Sequence, residues 1–140
     1  MGNEFDLEIL ASDHLFFRGK ATNLVIPVTD GFFGILAHHD DIVVCMVPGT
    51  THFDLPEEGR RYAVTGSGIV MMRENKATIL VDFAERPEDV DEKRARLSLE
   101  QAREKIRQKR SIEEYRRSQA TLARAMARLS GKHITENLNS

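Results

Sequence analysis

The first 85 residues alternate between apolar and polar positions at a period of two. From Phe5 to Leu10, Phe5, Leu7 and Ile9 are apolar while Asp6 and Glu8 are polar, the spacing of a strand with one buried face. Further strand-like runs occur at Leu15–Phe17, Leu24–Val28, Ile35–Leu36, Ile42–Val47, His52–Leu55, Arg61–Thr65, Ile69–Met72 and Thr78–Val81. Turn-forming clusters separate them: Arg18-Gly19, Thr29-Asp30-Gly31, Val47-Pro48-Gly49, Glu58-Gly59, Gly66-Ser67-Gly68 and Glu74-Asn75-Lys76. Short strands with a turn every roughly eight to twelve residues predict a β-sandwich or barrel. The expected core is Leu7, Ile9, Val25, Ile35, Val43, Val64, Ile69, Ile79 and Val81.

The period changes after Glu85-Arg86-Pro87. Proline disfavours helix at the residue before it and suits the approach to a helix start. Neither Gly nor Pro occurs from Asp91 to Lys109, and Ala95, Leu99, Ala102 and Ile106 fall on one helical face. Ser111-Ile112-Glu113-Glu114 has a capping-box pattern, which ends one helix and starts another. The second helix is expected from about Ile112 to Leu129, with a stripe of Ile112, Tyr115, Leu122, Met126 and Leu129 and with Gln119 as the polar member of the series. Gly131 suits its C-terminal cap, and Ile134 to Ser140 is expected to fray. The fold class is therefore α+β: a β-sandwich domain over residues 1–86 and an antiparallel two-helix hairpin over residues 87–140. Narrow, alanine-rich stripes bury little, so the hairpin should lean on the sandwich, grip a partner, or switch between the two.

Charge sharpens this division. The net charge of −2 hides 6 Lys/Arg against 13 Asp/Glu in residues 1–85 and 14 against 9 in residues 86–140, that is −7 and +5. Two modules of opposite sign point to different partners. Cys45 is the only cysteine, so no internal disulfide forms; it sits among Val43, Val44 and Met46 and reads as packing. No apolar run approaches the ~20 residues of a membrane helix. The acidic start Met1-Gly2-Asn3-Glu4-Phe5-Asp6 lacks the basic and apolar regions of a signal peptide, and Asp6 stands where a myristoylation signal carries Ser or Thr. The expected protein is soluble, with no direct membrane insertion.

Candidate chemistry is sparse. His38-His39-Asp40-Asp41 is the only histidine cluster, and it reads as an exposed interface loop rather than a metal site. Gly66-Ser67-Gly68 precedes a strand and lacks the Lys-Ser/Thr of a phosphate loop. No catalytic constellation is evident, so the chain is read as a non-enzyme without a required cofactor. Tyr115 is the only aromatic residue among the C-terminal cations, which argues against nucleic acid. One local pattern is sharper. In Val90-Asp91-Glu92-Lys93-Arg94-Ala95, Asp91 complements a helix N-terminus and Arg94 lies one turn on. Arg124 and Arg128, spaced i,i+4 on the second helix, could meet Arg94 across the hairpin, and three such guanidinium groups would suit a phosphate.

Several segments together resemble the epsilon chain of F-type ATP synthases. Gly31-Phe32-Phe33-Gly34-Ile35-Leu36-Ala37-His38-His39 resembles its GxxGxxxxH segment, Val47-Pro48-Gly49 its next turn, and Tyr62 to Gly68 its Ala-Val-Ser-Gly-Gly stretch. Ala77 to Glu85 is similar to its last strand and Ala123 to Leu129 to its closing helix, so the resemblance spans Phe5 to Leu129. It implies a ten-stranded sandwich that binds the gamma subunit and the c-ring, turning with them as the central stalk. It also implies a hairpin whose basic residues inhibit hydrolysis by approaching the alpha and beta catalytic subunits. The implied location is peripheral, on the cytoplasmic face of the bacterial cell membrane, with protons or sodium as coupling ion. The family's Ile/Leu-Asp-x-x-Arg-Ala motif, which binds ATP as a regulatory ligand, matches Val90, Asp91, Arg94 and Ala95. Arg124 and Arg128 match nucleotide-contacting positions, while Gln101 replaces an arginine of tight binders. Phe32, His38, His39, Asp40 and Asp41 match the family's c-ring and gamma contact region, with altered chemistry. The alternative is a free-standing adaptor or ATP-sensing module of the same fold.

Overall fold

The computed structural model describes residues 2–108 and 112–139, with the side chains of 108, 112–115 and 136–139 excepted. Ten strands form two sheets: β1 (Phe5–Ala11), β2 (Leu15–Ala21), β3 (Asn23–Val28), β4 (Gly31–Leu36), β5 (Ile42–Met46), β6 (Gly49–Leu55), β7 (Gly59–Thr65), β8 (Gly68–Arg73), β9 (Lys76–Val81) and β10 (Ala84–Glu85). One sheet has the order β2-β1-β9-β8-β5 and the other β10-β7-β6-β3-β4. Pairing is antiparallel except between β1 and β9, which run parallel with Leu7 opposite Ala77 and Ile9 opposite Ile79. The inward side chains make the core: Phe5, Leu7 and Ile9 of β1, Leu24 and Ile26 of β3, Ile35, Phe53, Val70, Met72 and Ile79 are all buried. Each such side chain contributes about 1.5–3 kcal/mol by leaving water.

Three expected core residues lie elsewhere. Val43 is 62% exposed, and Val25 and Ile69 are half-buried. The parity of β5 turns Val44 and Met46 inward, while Val43 pairs with Met71 and Cys45 with Ile69. Cys45 is accordingly exposed, not packed. Val25 pairs with His52, whereas its neighbours Leu24 and Ile26 fill the core.

Chain crossings between the sheets rest on glycine. A Cβ on Gly66 would fall 1.6 Å from Asp82 Oδ1, and one on Gly68 would fall 1.9 Å from the Leu80 carbonyl oxygen. Only bare backbone fits where β7 leaves one sheet for β8 in the other. The Gly66 amide donates to Phe83 O at 3.0 Å and the Asp82 amide to Ser67 O at 3.0 Å. The segment Ala77–Glu85 is therefore not one strand. It breaks at Asp82-Phe83, and Ala84 and Glu85 join the opposite sheet against Thr65 and Val64.

Pro87–Asp89 is a single 3-10 turn leading to helix α1 (Glu92–Gln108), followed by α2 (Ile112–Asn139). Asp91 caps α1: its Oδ1 accepts from the Arg94 amide at 3.0 Å. The predicted α1 face holds, with Ala95 and Ala102 buried and Leu99 and Ile106 half-buried. The predicted α2 face holds only in part: Leu122 and Leu129 are half-buried, but Met126 is 52% exposed, and among the described residues of α2 the buried ones are Ser118, Ala125, Ala127 and Gly131. The side chains of Ile112 and Tyr115, and the Ser111 capping box, lie outside the described residues. Nor does Gly131 end the helix, which continues through residues expected to fray. Gly131 is instead where α2 meets the second sheet: a Cβ there would fall 2.6 Å from Val64 Cγ2 and 3.0 Å from Thr50 Oγ1. α2 thus has two contact faces, one on α1 and one on β6 and β7. Both are built from small residues, which a search for large apolar side chains overlooks.

Candidate functional site

The sequence-predicted phosphate cluster falls at the junction of hairpin and sandwich. Val90 is buried there in a small apolar cluster with Val64 and Ala127, and half-buried Phe83 packs against it. The Arg128 guanidinium carbon lies 3.8 Å from the centre of the Phe83 ring. Its Nε donates to both carboxylate oxygens of Glu85, at 3.0 and 3.1 Å. Arg124 reaches Asp82 Oδ2 at 3.4 Å and Thr121 Oγ1 at 3.4 Å. Arg128 and Glu85 keep 26% and 33% of their side-chain exposure, so water screens this pair only in part.

The six residues are divided between two tasks. Val90, Arg124 and Arg128 clamp the hairpin to Val64 of β7, to Asp82 just after β9 and to Glu85 of β10. Asp91, Arg94 and Ala95 open α1: Asp91 caps it, Ala95 is buried, and Arg94 is exposed with no side-chain partner among the described residues. Two of the three guanidinium groups are thus already held by carboxylates of the sandwich. A phosphate that engaged all three guanidinium groups would have to displace Asp82 and Glu85.

Sequence reasoning missed Asp82, Phe83, Glu85 and Gly131 as junction residues. The available signal was the pair of carboxylates three residues apart, just after the last long strand, complementary to two arginines four apart on a helix. A second tie crosses the hairpin. His133 Nε2 is 3.2 Å from Glu92 Oε1, and Arg96 Nη2 donates to the same oxygen at 2.7 Å. The Glu92 carboxyl is held below its ordinary value, first by Arg96 and then by His133.

The loop candidates lie on the β4 edge. Phe32 is 70% exposed near the start of β4, with Leu36 exposed on the same face. His38, His39, Asp40 and Asp41 follow the other end of that strand, His38 six residues on from Phe32. The structure does not bring the two parts to one point. His38 adopts a left-handed turn (φ 63°). Its amide donates to Asn75 Oδ1 at 2.7 Å, and Asp41 Oδ1 accepts from the Glu74 amide at 3.3 Å. Asn75 Nδ2 donates to Glu4 O at 3.0 Å, so one residue braces the loop, the β8–β9 turn and the N-terminal segment. Among the described residues no group of three or more His, Cys, Asp or Glu side chains could hold a metal ion, and no helix is long and apolar enough to cross a membrane.

Comparison with known proteins agrees with this two-part architecture. Residues 4–87 match the family model for the ATP synthase delta/epsilon chain beta-sandwich domain, and residues 88–130 match that for its long alpha-helix domain. The chain belongs to the ATP synthase delta/epsilon family. An ATP synthase epsilon chain of Caldicellulosiruptor bescii is 39% identical over 90% of this chain and 91% of its own length. One from Ruminiclostridium cellulolyticum is 38% identical over 90% and 93%. The fold of this delta/epsilon chain is also that of a chain in the Euglena gracilis mitochondrial ATP synthase structure of OSCP, F1 and c-ring. The TM-score is 0.77 at 19% identity, covering 91% of this chain and 80% of that one. A chain in the central stalk and c-ring structure of Tetrahymena thermophila mitochondrial ATP synthase aligns with a TM-score of 0.53 at 10% identity, over 61% of this chain and 69% of that one.

Proposed function

We propose that this delta/epsilon chain is the non-catalytic central-stalk subunit of a bacterial F-type ATP synthase. In this reading it couples proton or sodium flow to ATP synthesis by turning with the gamma subunit and the c-ring. Its hairpin restrains ATP hydrolysis. The observation that carries the reading is the contrast between the two modules. The sandwich is built from paired strands, whereas among the described residues the hairpin meets it through a small apolar cluster and the ion pairs Arg124–Asp82 and Arg128–Glu85. A junction of that size can open without unfolding either part.

The sandwich offers a surface for gamma. Val43, Met71 and Leu80 are exposed on the neighbouring strands β5, β8 and β9, an apolar patch of the kind that marks a protein interface. The exposed Phe32 and the loop His38-His39-Asp40-Asp41 supply the contact with the c-ring. The basic helices, released from Asp82 and Glu85, approach acidic surface on the alpha and beta subunits. The assembled protein is peripheral on the cytoplasmic face of the cell membrane. ATP acts as a regulatory ligand at Val90, Asp91, Arg94, Ala95, Arg124 and Arg128, with Arg94 as the entry point because, of these three arginines, it has no carboxylate partner among the described residues. No cofactor is required.

Reconstitution of the complex with a chain ending at Arg86 tests the core of this reading. Faster ATP hydrolysis than with the full chain is expected; an unchanged rate would end the inhibitory reading. Titration calorimetry of the full chain with Mg-ATP, beside Arg94→Ala, tests the ligand separately. Heat that disappears in the variant is expected, and no heat up to millimolar ATP removes ATP from the account.

A further inference from the structure

Resting on the reading of the loop His38-His39-Asp40-Asp41 as a c-ring contact, we propose that Asn75 is the residue that positions it. Asn75 acts through His38 and leaves Asp40 as the loop's free charge, so the surface this loop meets carries a cation.

Glu74 and Asn75 are the two central residues of the β8–β9 hairpin, since Arg73 pairs with Lys76 across them. Both adopt left-handed backbone, at φ 50° and 59°. A two-residue turn of that kind favours glycine at its second position. Asparagine stands there instead and brings a side chain that glycine lacks. Both ends of that side chain are used. Oδ1 accepts from the His38 amide at 2.7 Å, and Nδ2 donates to the Glu4 carbonyl at 3.0 Å. The Asn75 carbonyl in turn accepts from the Asp6 amide at 3.2 Å. One half-buried residue therefore ties the loop to the β8–β9 turn and to the start of β1.

The loop depends on such a tie. It carries the chain from β4 in the second sheet to β5 in the first, and His38 sits in it at φ 63°, where a residue other than glycine is uncommon. Three of its four side chains are occupied. His38 Nε2 lies 3.2 Å from the Gly2 carbonyl oxygen. His39 Nδ1 lies 2.7 Å from the Asp40 carbonyl oxygen, and its ring meets that of Phe33 edge-on with centres 5.9 Å apart. Asp41 Oδ1 accepts from the Glu74 amide at 3.3 Å. Asp40 is exposed, and its carboxylate has no partner among the described residues. An unpaired carboxylate on an exposed loop suits a cation on the facing surface, and such complementarity sets partner choice and register. A loop already held in place gives up little conformational freedom when it docks.

The test uses the full chain, alone and assembled with its partners in vesicles. Asn75→Gly keeps the turn, because glycine suits the left-handed position, and deletes both side-chain bonds. This variant should fold and bind gamma as the parent does. Exchange of the His38 amide should rise about tenfold, in proportion to the loss of about one hydrogen bond. The ratio of ions transported to ATP hydrolysed should fall. Asn75→Asp keeps the acceptor for His38 and should recover both readouts, a rescue that a merely structural role would not produce. Asp40→Asn removes only the charge and should lower the ratio without loosening His38. A loosened His38 with an unchanged ratio in Asn75→Gly overturns the proposal; if Asp40→Asn still lowers the ratio, the c-ring reading of the loop survives that failure. An unchanged ratio in both variants ends the two together. A fall in Asn75→Gly without one in Asp40→Asn overturns the cationic partner. Loss of gamma binding or of the fold in Asn75→Gly makes Asn75 an ordinary structural residue and overturns the proposal as well.

Discussion

Gly131 concentrates the conflict between helix propensity and packing. Alanine in place of glycine should favour an exposed helix by up to about 1 kcal/mol. Here the added methyl would meet Val64 Cγ2 at 2.6 Å, on a side chain fixed in the junction cluster. Overpacking of that kind costs about 1–3 kcal/mol, so the clash wins. Gly131→Ala should loosen α2 on the second sheet, read as faster amide exchange in residues 124–135 with β6 unchanged. Slower exchange would show that the neighbours give way easily. Asp91 gives a simpler case: Asp91→Ala removes the acceptor for the Arg94 amide and should lower hairpin stability by about 1 kcal/mol in a helix melt.

At the scale of elements, the pairing of β6 with β7 carries its own pH dependence. His52 lies opposite Tyr62, ring centres 5.9 Å apart, with Arg60 and Asp54 as its charged neighbours. Burial, and then the Arg60 charge, hold its imidazole below the ordinary 6.5. As pH falls below 6.5 the unfolded chain takes up this proton before the folded one does. Stability from neutral His52 is therefore complete above 6.5 and declines as pH falls through the lowered value. Asp54, also lowered, chiefly by Arg60, adds a separate loss only in the acidic range below 3.8. His52→Gln should flatten the melting temperature just below pH 6.5; an unaltered profile would assign that slope to another group. The elements themselves were largely legible. Alternation located nine of the ten strands because the core needs one apolar face per strand. It could not say which face, and β5 and β8, with Val43, Cys45, Ile69 and Met71 outward, are apolar on both. β10 escaped because two residues carry no period. The α2 contacts escaped because Ser118, Ala125, Ala127 and Gly131 pack by being small. The junction was half legible: the arginine pair and the Val90-Asp91 start stood out, but their partners Asp82 and Glu85 are ordinary carboxylates until the fold aligns them.

For the whole molecule, the opposite charges of the two modules meet in specific pairs, and specific pairs can be exchanged. Arg124–Asp82 spans 3.4 Å with side chains 34% and 41% exposed, so it should be worth about 0.5–1 kcal/mol and weaken with salt. Asp82→Arg puts two cations face to face and should shift the hairpin toward the open state. Arg124→Asp alone should do the same by repelling the sandwich's excess of negative charge. The double variant restores opposite charges at the same place and should recover docking, so the two effects fall short of adding. Hydrogen exchange in α2 at low and high salt measures all four chains. Recovery in the double variant would identify the electrostatic seam as a latch that a competing acidic surface could release. Simple addition of the two losses would leave the Val64–Val90–Ala127 cluster and the Arg128–Phe83–Glu85 clamp as what holds the hairpin down.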